Sequence, residues 1–168
     1  MFASMTRSVP CPDCGAAADW AGVQALLGES LRWDVELTCA GCGFAVAECG
    51  GAPSEEMRRR LIAEHGRAVL LVRRPVANAS VMRVLRAQLG VGLAEAKTLL
   101  GRVLAAQYSG TLPEMELLAR GLRAAGVDAV ATPDTRPDRW KCARTCRSGC
   151  PDMSAMETSS SLLSRPHR

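Results

Sequence analysis

The sequence predicts an α+β protein built as a small β-rich zinc ribbon, a β-α-α-β-α-β unit and a disordered tail, and three observations carry that prediction. Two CxxCG groups, Cys11-Pro12-Asp13-Cys14-Gly15 and Cys39-Ala40-Gly41-Cys42-Gly43, are flanked by short alternating stretches. Between residues 68 and 132 apolar runs alternate with stretches of helical period. Beyond about Thr132 the apolar period stops and Pro, Arg and Ser take over. The expected divisions are a ribbon at 1–51, a connecting amphipathic helix at 52–67, the α+β unit at 68–132 and a flexible Cys/Arg/Ser-rich tail at 133–168. With 168 residues, 48% hydrophobic and 23% charged, the composition is that of an ordinary globular protein rather than a disordered chain.

In the ribbon, each CxxC turn can present two thiolates to one tetrahedral ion, and the glycine that follows supplies the positive φ of the turn. Leu31 to Thr38 alternates apolar and polar residues and reads as a strand; Phe44 to Cys49 alternates again, so the second knuckle sits at the tip of a hairpin. Cys11, Cys14, Cys39 and Cys42 are therefore the expected ligands of one structural Zn2+, with no position left open for catalysis. The ion should supply most of the folding free energy of so small a unit, on the order of 10 kcal/mol. Cys49 extends the second strand and reads as a free, half-buried thiol.

The connecting helix starts at the N-cap Ser54, carries Glu55 and Glu56 in its first turn, turns Met57, Leu61 and Ile62 to one face and stops at Gly66. Arg58, Arg59 and Arg60 read as a solvated face, and His65 suits the negative end of the helix dipole. A strand follows at Ala68 to Val72, then a helix from about Ala79 to Leu89 with Val81, Met82, Leu85 and Leu89 inward. The next, from about Leu93 to Leu104, places Leu93, Ala96, Leu100, Val103 and Leu104 inward. A short strand is expected around Ala105 to Tyr108. The last helix opens with the capping box Thr111-Leu112-Pro113-Glu114, turns Met115, Leu118 and Leu122 inward and ends at Gly126, before a strand at Val127 to Ala131.

Charge is uneven. Residues 1–66 carry 5 Lys and Arg against 9 Asp and Glu, residues 67–134 carry 9 against 5, and residues 135–168 carry 7 against 3. Aromatic residues are 4% and the cysteine-bearing part is acidic, so direct nucleic-acid readout is not the default. No apolar run is long enough for a membrane helix and no apolar leader stands at the N-terminus, which leads us to expect a cytoplasmic protein with no membrane partner. In a reducing compartment paired CxxC groups read as metal ligands rather than disulfides. In the tail, Cys142, Cys146 and Cys150 lie among basic residues and form a candidate redox or second metal group. No nucleophile, base and orienting group come together, so no catalytic residues and no enzymatic activity are expected.

The stretch from Val81 to Leu100, with Gly90-Val91-Gly92-Leu93 and Glu95-Ala96-Lys97, resembles the C-terminal domain of the bacterial ribosomal stalk protein, which recruits translational GTPases. The similarity continues through Leu122-Arg123-Ala124-Ala125-Gly126-Val127 and covers about residues 68–132. It implies a ribosomal-stalk-C-terminal-domain-like fold for that unit and a partner-binding face at Val81, Met82, Arg83, Arg86 and Lys97. Joined to the expected zinc ribbon, the resemblance implies an adaptor associated with translation, its partner a translational GTPase or the ribosome. Two other readings stand beside it: an immunity, inhibitor or proteolytic-adaptor protein using the same fold as a scaffold, and a zinc-ribbon nucleic-acid-binding regulator.

Overall fold

The computed structural model describes residues 1–73 and 77–135. The chain begins with four antiparallel strands in sequential order, β1 (Phe2–Pro10), β2 (Ala17–Leu27), β3 (Ser30–Thr38) and β4 (Ala45–Cys49). The β1–β2 and β3–β4 hairpins carry the two CxxCG knuckles at the same end of this first sheet, and the β2–β3 hairpin turns through Gly28 (φ 60°) at the other. The strand at 31–38 and the one after the second knuckle were legible from alternation. The long β1–β2 hairpin was not, because the inward positions of β2 include Gly22 and Gln24. Both are inward for tertiary reasons. A Cβ on Gly22 would lie 2.5 Å from the rings of Trp20 and Trp33, and Gln24 is a buried hydrogen-bonding residue.

Helix α1 (Glu55–His65) is capped by the Ser54 side chain, which accepts from the Met57 N–H. It lies on the inward face of the first sheet, where Leu61 is buried with Ala3, Met5 and Trp33, and Met57, Trp20 and Val35 close around them. Its last turn is fixed by His65, whose ring Nε2 donates to the carbonyl of Ser4 on β1.

The second half runs β5 (Ala68–Val72), α2 (Asn78–Leu89), α3 (Leu93–Leu104), β6 (Ser109–Gly110), α4 (Leu112–Ala124) and β7 (Ala129–Pro133), with an antiparallel sheet in the order β6-β5-β7. Its core joins Leu70 of β5, Val81, Val84 and Leu85 of α2, Val103 of α3 and four inward residues of α4, Met115, Leu118, Ala119 and Leu122. The capping box at Thr111 and Glu114 is formed. At the other end of α4 the N–H groups of Gly126 (φ 77°) and Val127 reach the carbonyls of Arg123 and Leu122, the closed C-terminal turn that glycine permits.

Three expectations for this half are corrected. The strand placed at 105–108 is instead a turn in which Ala106 takes φ 53°, and pairing begins only at Ser109. The last strand starts two residues later than expected, since the Val127 N–H is still engaged in closing α4. Leu89 and Leu93 are exposed rather than core, Leu93 at 62%, because they flank the α2–α3 turn at the margin of the core; Val84 fills the inward position on α2 instead.

Residues 1–134 make one compact unit. Helix α4 is the shared element: it packs on β5 and β7 and also reaches β1, β2 and β3 of the first sheet. No helix among the described residues is long and apolar enough to cross a membrane. The expectations for the tail, including Cys142, Cys146 and Cys150, lie outside the described residues.

Candidate metal centre and partner groove

The two knuckles are copies of one local structure. In each, the first cysteine's N–H bonds a carbonyl five residues on (Cys11 to Ala16, 2.7 Å; Cys39 to Phe44, 2.8 Å). Its own carbonyl accepts the N–H of the glycine (Gly15 and Gly43, both 2.9 Å). Both glycines have positive φ, 74° and 78°, as the turn demands. The register is copied too, Val9 opposite Ala18 in one hairpin and Leu37 opposite Val46 in the other.

Hairpin pairing sets the turns side by side, and the four sulfurs of Cys11, Cys14, Cys39 and Cys42 lie within 4.8 Å of one another. The cross-knuckle pairs Cys11–Cys42 and Cys14–Cys39 are each 3.7 Å apart, too long for a disulfide, and all four are free thiols. A tetrahedral ion with metal–sulfur bonds of about 2.3 Å would have ligand edges of about 3.8 Å, so the observed spacing fits a four-thiolate metal site. Gly41 fits between the knuckles, where a Cβ would already sit 3.3 Å from that of Ala16.

The electrostatics point the same way. The N–H of Cys42, aided by that of Gly41 and by the neighbouring thiols, outweighs burial and brings the Cys39 thiol down from 9.0 to about 7. The N–H of Phe44 works on Cys42 in the same sense, but the crowding of Cys14, Cys11 and Cys39 together with burial pushes Cys42 up to about 12. Peptide N–H groups thus favour the thiolate at Cys39, while crowding disfavours it at Cys42, a balance that a bound cation would reverse. Cys49 stands apart, free and exposed at the end of β4 rather than half-buried.

A second polar group, missed from sequence, joins the first sheet to the helices. Gln24 on β2 is buried and accepts from the Thr111 hydroxyl, while its amide donates to Glu114 at 3.4 Å. Glu114 also takes a two-pronged hydrogen bond from Arg58, Nε to Oε1 and Nη2 to Oε2, both at 2.7 Å. Gly110 leaves room for this pair, since a Cβ there would clash with both partners. The capping box was the visible signal, but nothing local showed that Glu114 serves a second element. The solvated-arginine reading of residues 58–60 is corrected for Arg58 alone, which faces Glu114; Arg59 and Arg60 are exposed as expected, Arg60 pairing with Glu56 at 2.8 Å and Arg59 reaching the Glu55 carbonyl along the same helix.

The residues expected to meet a partner separate in the structure. Val81 is 0% exposed and belongs to the core, so it cannot be part of a contact face. Met82, Arg83 and Arg86 line an open groove of about 580 Å3 beside the α2–α3 turn, with Gly90, Val91 and Leu93. Arg83 and Arg86 are exposed and have no ion-pair partner among the described residues, and Lys97 is exposed one helical turn beyond Leu93. The groove thus combines exposed apolar side chains with a basic rim.

No family model matches the chain, and neither a curated protein nor a solved structure matches it.

Proposed function

We propose that the protein is a non-enzymatic, zinc-binding adaptor associated with translation, in which the knuckles hold one structural Zn2+ and the α2–α3 groove takes an acidic surface of a translational GTPase. The observation that carries this reading is the groove itself. Arg83 and Arg86, exposed and with no ion-pair partner among the described residues, stand beside the exposed Leu93 on the segment whose sequence resembles the ribosomal stalk domain. Apolar contacts would supply affinity and the arginines orientation and encounter rate. Zinc is the metal that four thiolates in a closed tetrahedron suit as a structural ion.

The test is association kinetics with a translational GTPase, alongside co-sedimentation with ribosomes. Arg83→Glu combined with Arg86→Glu should slow association about ten-fold at low salt, and less at high salt, because exposed charges are screened. Equal rates for parent and variant would remove the groove from the interface. Near-stoichiometric binding to one unrelated protein, with no GTPase or ribosome binding, would replace the translation reading by the scaffold one.

A further inference from the structure

The four cysteines fall into two classes that the duplicated knuckles repeat: Cys11 and Cys39, each 3% exposed, and Cys14 and Cys42, both exposed. The sulfur of each exposed cysteine lies 3.7 Å from that of a buried one, and in both cases that neighbour belongs to the opposite knuckle. The arrangement therefore supplies, twice, an accessible thiolate and a sheltered one placed to react with it. From this geometry we propose that the centre is a redox switch, in which a hydroperoxide exchanges the metal for two cross-knuckle disulfides, Cys11–Cys42 and Cys14–Cys39. The inference rests on the reading of the four cysteines as a zinc site.

The chemistry is balanced. With hydrogen peroxide, the Cys42 thiolate attacks one oxygen, the O–O bond breaks, the other oxygen leaves as hydroxide and Cys42 becomes a sulfenic acid. The Cys11 thiolate then attacks the Cys42 sulfur, forming the S–S bond and expelling a second hydroxide. Two electrons have passed from two thiolates to one peroxide. An ion left with two ligands dissociates as Zn2+, and Cys14 and Cys39 repeat the sequence with a second peroxide.

The connectivity matters because it decides what happens to the sheet. A disulfide within one knuckle would close a loop of four residues and leave the two hairpin tips independent. A cross-knuckle disulfide links positions 31 or 25 residues apart and ties the β1–β2 tip to the β3–β4 tip, as the metal does. Contraction from 3.7 Å to a bond is the required movement, and the sheet is held at its other end by α1 and α4. Oxidation is thus expected to release the ion while the first sheet stays folded.

Trypsin makes the test direct, because Arg7, Arg32 and Arg58 place Cys11 and Cys14 on one peptide, Ser8–Arg32, and Cys39 and Cys42 on the next, Trp33–Arg58. The full chain carrying Cys49→Ala, Cys142→Ala, Cys146→Ala and Cys150→Ala is first assayed for zinc, then treated with hydrogen peroxide, blocked, denatured and digested without reductant. We expect one zinc per chain before oxidation, complete release on consuming two peroxides, and the two peptides joined at least ten-fold more often than found separately with internal disulfides. Fragmentation should assign the links as 11–42 and 14–39, and far-UV circular dichroism should keep its strand signal. Zinc bound initially but internal CxxC disulfides, or sulfinic acids with no disulfide, would overturn the switch and leave the zinc site standing. Absence of zinc at the outset would overturn both.

Discussion

The two ends of the first sheet are held by different physics. At the knuckle end, the buried side chains are Cys11, Ala18 and Cys39, with only Val9, Leu37 and Phe44 packed partly against them. At the other end and across its middle, Ala3, Met5 and Trp33 meet Leu61 of α1, and Gln24 enters the polar joint with Thr111, Glu114 and Arg58. One end has four clustered thiols and little apolar area; the other has a packed core and a hydrogen-bonded polar joint. The lesson is that, if the thiols hold the proposed ion, a small sheet divides its stability between that ion and its neighbours, and losing the ion need not cost the whole unit.

The most forceful way to break the comparison is to remove the ligands. If the four cysteines hold one zinc per chain as proposed, Cys11→Ser combined with Cys39→Ser should abolish that binding and forfeit on the order of 10 kcal/mol of metal-linked stabilisation. From sequence alone the entire N-terminal part would be expected to unfold while 68–132 stayed folded. The seating of the sheet on α1 and α4 narrows that expectation. Hydrogen exchange should lose protection at 9–18 and 37–46, and keep it at 68–72 and 112–124. Full protection without metal would show that the knuckle end needs no ion.

At the opposite end the corresponding lesion is Glu114→Ala. Glu114 is 17% exposed and Arg58 30%, so the pair is neither a surface bridge nor a fully buried one. Removing the carboxylate leaves the half-buried Arg58 only Glu55, at 3.9 Å, to pair with and opens the α4 cap, for a cost of about 2–3 kcal/mol in chemical denaturation. A double-mutant cycle with Arg58→Ala should return a coupling above about 1 kcal/mol, and additive losses would show that the joint is not a unit. Zinc content should stay at one per chain, because the lesion lies away from the sulfurs.

Gly22 separates packing from polar bonding at the same end. The Trp20 and Trp33 rings are 6.2 Å apart, and both close on the Gly22 Cα, where a methyl group would lie 2.5 Å from each. Gly22→Ala should therefore cost about 1–3 kcal/mol, since two indoles must move together to admit one carbon. An unchanged denaturation midpoint with unchanged tryptophan fluorescence would mean that the rings are not held as described.

How much of this was legible in the sequence follows from whether the cause was local. The knuckles, the Ser54 cap, the capping box at Thr111 and the bounds of α3 each depend on residues a few positions apart, and the sequence reading placed them. Strands β1 and β2 did not announce themselves, because Gly22 yields its inward position to tryptophans from two strands and Gln24 is inward to meet α4. Val81 was assigned both to the core and to the partner face, and burial leaves it only the first. Glu114 looked like a cap residue and is also the anchor of α1. The groove residues Met82, Arg83 and Arg86 were named from a resemblance; their neighbours Val91 and Leu93 emerged only when the α2–α3 turn was seen in three dimensions.

The finest test of the helix-seated end uses pH. Burial alone would push the Glu116 carboxyl up, but hydrogen bonds from Arg120 (3.1 Å) and Arg123 (2.8 Å) outweigh it and hold Glu116 below the usual carboxylate range. Arg120 also donates to the carbonyl of Gly28 at 2.9 Å, so this carboxylate helps to fasten the β2–β3 turn to α4. A depressed folded-state value means that the contribution is fully present above the unfolded carboxylate value of about 4.3 and is lost as pH falls through the lower folded one. Glu116→Gln should therefore destabilise by about 0.5–1 kcal/mol at neutral pH, the modest worth of a pair whose arginines are largely exposed. The difference from the parent should hold steady from pH 7 to 5 and shrink below about pH 4. Any zinc held by the four cysteines would be lost alike from parent and variant, since Glu116 is not one of them, and so cancels from that difference. A gap that widened on acidification would mean that Glu116 is favoured in its protonated form and that the turn is fastened by something else.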